Sequence, residues 1–108
     1  MEDWHISPET LMLWHNEGKP FTLLDVRDSE EYEKTHLNGR LIPLKTLESQ
    51  LSTLNLQDCF VVHCKKGGRS AKAVRIMQEQ GFTQCYSLDG GLDAWHQSYG
   101  TTCPWAKA

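Results

Sequence analysis

No stretch of this 108-residue chain approaches the ~20 consecutive apolar residues that cross a bilayer. The acidic start, Met1-Glu2-Asp3-Trp4, lacks an apolar signal core, so the expected setting is cytoplasmic. No two of the four cysteines form a C-x-x-C pair, and no His lies at zinc-finger spacing from them. No metal and no cofactor is therefore expected, and reduced thiols fit a cytosolic chain better than two disulfides do. There is no repeat, low-complexity segment or linker, and the length suits a single domain over 1–108. Positive charge is also lacking: 11 basic against 14 acidic residues give −3, which argues for neither a nucleic acid nor a membrane as partner. One local absence is more telling. Between Asp58 and Glu79 there is no acid, yet Lys65, Lys66, Arg69, Lys72 and Arg75 all lie there. A cationic segment in an acidic chain predicts a small anionic ligand or intermediate.

What is present is an alternation of strand and helix signals. His5-Ile6 is a candidate first strand. Ser7-Pro8-Glu9 reads as a helix start, and Gly18 as its stop. Phe21–Val26 and Cys59–His63 are nearly continuous apolar runs, the pattern of strands buried on both faces. Asp28 and Glu31 predict a capped helix over 29–36. Asn38-Gly39 marks a turn, and Leu41-Ile42 a short strand closed by Pro43. Leu47, Leu51 and Leu54 predict one helical face. Residues 71–80 read as a helix, with Ala73, Val74 and Met77 inward, and 84–88 as a strand. Asp89-Gly90-Gly91 turns into a last helix with Leu92, Trp95 and Tyr99 on one face. Residues 100–108 are expected to form a loose tail. The reading is α/β, with a mainly parallel sheet and ligands at the carboxyl ends of its strands.

The loop Cys64-Lys65-Lys66-Gly67-Gly68-Arg69-Ser70 falls at such an end. Its adjacent glycines let backbone N–H groups converge. The helix that follows aims its positive end at the same point. With Lys65, Lys66 and Arg69 nearby, these features predict a Cys64 thiol of lowered pKa, and a thiolate is the reactive form. Four residues separate Cys64 from Arg69, which makes a cradle for one sulfur atom. Phosphatases of the cell-cycle dual-specificity type and related arsenate reductases use five, and such chemistry is the main rival.

On these residues the chain resembles single-domain rhodaneses over about 5–99. Leu24-Asp25-Val26-Arg27, then Glu31-Tyr32-Glu33 with His36-Leu37-Asn38-Gly39, the loop CKKGGRSAKA and the later LDGGLDAW occur in that family's order. Asn38 and Arg40 depart from it at a connecting turn. The resemblance implies a rhodanese-like five-stranded sheet with helices on both faces. It implies a sulfurtransferase in which Cys64 takes a sulfane sulfur from thiosulfate or another persulfide donor. Cyanide, a thiol, or a sulfur-carrier or thioredoxin-like protein then removes it. Residues 65–70 would supply the cradle, with Lys65 and Lys66 attracting thiosulfate. The stretch GRLIPLKTL is similar to rhodanese domains that accompany sulfur-carrier activating enzymes. A non-catalytic interaction module is the other rival, but such domains often lack the loop Cys.

Of the remaining residues, Asp25 and Arg27 are expected to form a buried ion pair or loop-fixing hydrogen bonds near the site. Glu31 or Glu33 is a candidate partner for Arg27. His63 is expected to be structural, since strand alternation points it away from Cys64. Cys59 and Cys64 face opposite ways, and Cys85 reads as buried. Cys103 is either a second thiol that accepts sulfur or an exposed bystander.

Overall fold

The computed structural model describes residues 4–101 and 103–105. Among these, five short strands form one fully parallel sheet: β1 (His5–Ile6), β2 (Thr22–Asp25), β3 (Arg40–Leu41), β4 (Phe60–His63) and β5 (Cys85–Leu88), in the order β1-β5-β4-β2-β3. Register is set by pairs such as Leu24 with Val62 and Asp25 with His63. All four residues of β4 are buried, because side chains on both faces of this central strand are covered. Leu24, Phe60 and Val62 point into one core with Leu47, Leu51, Val74 and Met77. Leu23 and Val61 point into the other, with Leu11, Leu92 and Trp95. The period-2 alternation of the strands thus builds two cores, one on each side of the sheet. Burying each such large side chain contributes about 1.5–3 kcal/mol.

The helices follow local chemistry. In α1 (Pro8–Asn16) the Ser7 hydroxyl accepts the Thr10 N–H at 3.0 Å, and Pro8 takes the first helical position. Helix α2 (Ser29–Lys34) is shorter than predicted, because Thr35 turns extended at its end. The leucine repeat does not yield one helix. Its residues run as a 3₁₀ turn (Leu44–Thr46), a single α turn, α3 (Leu47–Gln50), and a second 3₁₀ turn (Leu51–Thr53). Thr46, Ser49 and Thr53 hydroxyls donate back to the carbonyls of Pro43, Thr46 and Gln50, and such bonds compete with a regular helix. Leu47 and Leu51 are still buried.

Helix α4 (Gly68–Glu79) begins three residues before the expected Ala71, and α5 (Gly91–Tyr99) closes the domain. The described end of the tail is docked rather than loose. The Trp105 indole packs on Trp95 and Phe21 and donates to the Leu37 carbonyl at 2.6 Å. Burial of a large aromatic with its N–H satisfied accounts for that docking. No helix among the described residues is long and apolar enough to cross a membrane.

Candidate active site

Strand β4 ends at His63, and Cys64 follows it at 1% exposure. The chain then turns through Gly67, whose φ of 112° is open to glycine and strained for other residues. This turn is why α4 starts early: the loop itself forms the helix entrance. Gly67 caps α4 without a side chain. Instead, the Gly67 N–H donates to Cys64 Sγ at 3.1 Å and the Ser70 N–H at 3.4 Å. Orphan donors of a helix start are thus satisfied by sulfur. The Ser70 hydroxyl lies 3.7 Å from Sγ and 2.8 Å from the Ser87 hydroxyl, and both serines are buried. Burial pushes the Cys64 thiol up. The Ser70 N–H and hydroxyl, with the Gly67 and Lys66 N–H groups, outweigh it and bring the thiol below its ordinary pKa.

A second helix fixes the outer side of the loop. At the start of α5, the Leu92 N–H donates to the Cys64 carbonyl at 2.8 Å and the Asp93 N–H to that of Lys65 at 3.0 Å. Gly91 makes this approach possible. A Cβ there would lie 2.5 Å from the Cys64 carbonyl oxygen, and its φ is 61°. One helix end therefore holds loop carbonyls while the other presents N–H groups to the sulfur.

The basic side chains are arranged differently from the expectation. Lys65 Nζ binds the Asp93 carboxylate at 3.1 Å, and Lys66 Nζ lies 4.0 Å from the same group. Both lysines are mostly exposed, at 53% and 77% of the side chain, and what Lys66 contributes at the sulfur is its backbone N–H. Arg69 makes a bidentate pair with Glu31, at 2.7 and 3.0 Å. This pair holds the Glu31 carboxyl at about 2. Gly68 has open space where a Cβ would sit, so sterics do not require glycine there.

Asp25 and Arg27 form the expected buried pair, with Arg27 Nη2 2.7 Å from Asp25 Oδ2. Arg27 also donates to the Thr35 carbonyl at 2.8 Å, which clamps the end of α2 to the end of β2. Its carboxylate partner is Asp25; Glu31, offered as one candidate, turns to Arg69 instead. Removing one member of a buried pair strands the other charge and costs about 3–5 kcal/mol. His63 is fully buried beside them. Its Nδ1 lies 3.3 Å from the Cys64 carbonyl, and its Nε2 lies 3.6 Å from Asp25 without a hydrogen bond. Burial pushes its pKa down, and Asp25 opposes that.

Cys103, half-buried, donates to the Leu37 carbonyl at 3.2 Å. Leu37 lies in the turn between α2 and β3, so this thiol is held against that connection. Sequence reasoning missed Ser87 and Asp93, and missed that Glu31 belongs to Arg69. Ser87 had one signal, a hydroxyl within an otherwise buried parallel strand.

The site of this α/β domain is thus a buried cysteine after a parallel strand, its sulfur facing N–H groups at the entrance of the next helix. The chain matches the model of the rhodanese-like domain over residues 7–98, and it belongs to that family. It is 37% identical over 93 residues to the "Probable adenylyltransferase/sulfurtransferase MoeZ" of Mycobacterium tuberculosis, a match covering 83% of this chain. The chain spans only 24% of that relative's length. Among solved structures it is similar to a rhodanese-like domain protein from Staphylococcus aureus, with TM-score 0.79, 32% identity, and coverage of 84% of this chain and 89% of that one. A Rhodopseudomonas palustris protein described as a possible tyrosine phosphatase superposes with TM-score 0.79, covering 94% of this chain and 84% of that one. At 23% identity that likeness concerns the fold alone.

Proposed function

We propose that this domain is a sulfurtransferase working through a persulfide on Cys64. The observation that carries the reading is the set of N–H donors on a buried, ionisable Sγ. In the first half-reaction the Cys64 thiolate attacks the outer sulfur of the donor. The new S–S bond forms as the donor's own S–S bond breaks, and sulfite leaves from thiosulfate, or a thiolate from a persulfide. In the second, cyanide, a thiol or a sulfur-carrier protein attacks the terminal sulfur and restores the Cys64 thiolate. Charge is conserved in both steps and no redox partner is needed. Such covalent catalysis shows ping-pong kinetics. The loop N–H groups that hold the thiolate also hold the anionic terminal sulfur, as an oxyanion hole would.

A reducing, cytoplasmic setting suits Cys59, Cys64 and Cys85, which carry no disulfide. A relative named as a sulfurtransferase supports a sulfur donor and a sulfur acceptor as partners. The four-residue loop favours sulfur over phosphate. The test is thiosulfate:cyanide turnover and aryl phosphate hydrolysis, measured side by side on the wild type. Sulfur transfer with negligible hydrolysis supports the reading; the reverse overturns it.

A further inference from the structure

Two buried hydroxyls stand in line behind Cys64. Ser87 lies in β5, is 1% exposed, and pairs in the sheet with Val62 of β4. Strand alternation puts its side chain on the same face as Cys85, in the apolar core that α4 covers. Among the described residues its hydroxyl has one hydrogen-bond partner, the Ser70 hydroxyl at 2.8 Å. A serine hydroxyl carries one hydrogen and two lone pairs, and a buried donor goes unpaired less often than a lone pair does. The Ser87 hydrogen therefore points at Ser70 Oγ.

That direction decides what Ser70 does. Its own hydrogen is left with two acceptors, the Gly67 carbonyl at 3.1 Å and Cys64 Sγ at 3.7 Å. While Cys64 is a thiol, its S–H points at Ser70 Oγ and Ser70 donates to Gly67. Ionisation sends the sulfur's hydrogen to solvent and leaves a charged acceptor. Hydrogen bonds to charged groups are about twice as strong as neutral ones, so the Ser70 hydrogen turns to the sulfur. Ser87 goes on donating to Ser70 throughout, and each bond in such a series polarises the next. We propose that Ser87 is a positioning residue for the Cys64 site, which by donating to Ser70 Oγ aims the Ser70 hydrogen at the sulfur once that sulfur is charged. The inference rests on the sulfurtransferase reading only for its effect on turnover.

The test follows thiolate absorbance against pH, taken as the difference between each protein and its Cys64→Ser counterpart. The proteins are wild type, Ser87→Ala, Ser87→Thr, Ser70→Ala and the double variant Ser70→Ala with Ser87→Ala. Ser87→Ala should titrate at higher pH than wild type, by less than Ser70→Ala does. Ser87→Thr keeps the hydroxyl and should titrate with wild type. Because Ser87 acts through Ser70, the double variant should titrate with Ser70→Ala. The charged and titratable neighbours stay as they are in every variant: Arg69 on Glu31, Lys65 and Lys66 on Asp93, and His63 at the Cys64 carbonyl. Sulfur transfer by Ser87→Ala should fall about two- to fivefold, the worth of one neutral hydrogen bond. Should Ser87→Ala not fold, Ser87→Val suits a buried strand and carries the same expectation. Three results overturn the inference: a Ser87→Ala titration that coincides with wild type, a shift as large without Ser70 as with it, or a Ser87→Thr titration displaced as far as that of Ser87→Ala. The absorbance needs no sulfur donor, so a wild type inactive with every donor overturns the sulfurtransferase reading alone.

Discussion

Cys64 and Cys85 are buried to the same degree, at 1% and 2% exposure, and flank the ends of neighbouring strands β4 and β5. Their sulfurs have opposite chemistry. Cys85 Sγ faces the carbonyls of Val74 and Phe82, at 3.9 and 3.8 Å, and burial pushes its thiol up to about 11. Cys64 Sγ faces N–H groups and sits below its ordinary value despite burial. Burial alone therefore does not decide which way a thiol's pKa moves; whether donors or acceptors surround the sulfur does. Cys85 is the first residue of β5, inside the apolar core, with its sulfur against the Val74 and Phe82 carbonyls. Cys64 lies just past its strand, where two helix starts meet.

The sharpest way to break this contrast is to exchange the atoms. Cys64→Ser should lower sulfur transfer by about three orders of magnitude or more, since a lost covalent nucleophile is rarely replaced. Cys85→Ser should leave transfer near wild type and cost about 1–2 kcal/mol of stability, read from a denaturant melt. Comparable losses of activity in both would erase the distinction.

Next in size is the support behind the loop. Gly91→Ala puts a Cβ against the Cys64 and Lys65 carbonyls at a φ of 61°, so the loop must shift. Transfer should fall about a hundredfold, comparable to losing one preorganised donor. Inserting a Gly between Gly67 and Gly68 tests the same point from the other side. The loop then reaches the five-residue spacing, and a similar loss of sulfur transfer is expected. Retained transfer in either variant would show that donor placement matters little.

Ser70→Ala should have a smaller effect, about tenfold or less, because its hydroxyl stands 3.7 Å from Sγ and the Gly67 and Ser70 N–H groups remain. Its signature is spectroscopic. Thiolate absorbance, followed against pH in wild type and variant, should titrate at higher pH once the donor is gone. Smallest is the effect of Glu31 on stability. Its carboxyl is lowered from 4.5 to about 2, chiefly by the Arg69 hydrogen bonds, so the pair's contribution is fully present above about pH 4.5. That contribution is lost as pH falls toward 2. The Glu31→Gln melt should therefore differ from wild type at neutral pH and converge with it in acid; parallel curves down to pH 2 would rule the pair out.

The parallel sheet was legible because Phe21–Val26 and Cys59–His63 are apolar without alternation, and only a sheet covered on both faces asks for that. The Cys64 loop was legible because glycines, cations and a cysteine sit together between a strand and a helix. The direction of each basic side chain was not. Asp93 lies 28 positions beyond Lys65 and Glu31 lies 38 before Arg69, and only the fold brings those acids to the loop. The broken α3 region was missed because leucine spacing predicts a helix while Thr46, Ser49 and Thr53 bond back to the chain. The docked Trp105 was missed because tails are usually mobile and no short-range pattern marks a ring that packs on distant Phe21 and Trp95.

Cys64, and no other thiol, is the proposed sulfur acceptor. It is tested most directly by treating the full chain with a sulfane-sulfur donor in the absence of reductant, then measuring intact mass and mapping the modified peptide. The expected result is a gain of one sulfur atom, located on Cys64 and removed by cyanide. Unchanged mass with every donor, or sulfur located on Cys59, Cys85 or Cys103, would contradict it.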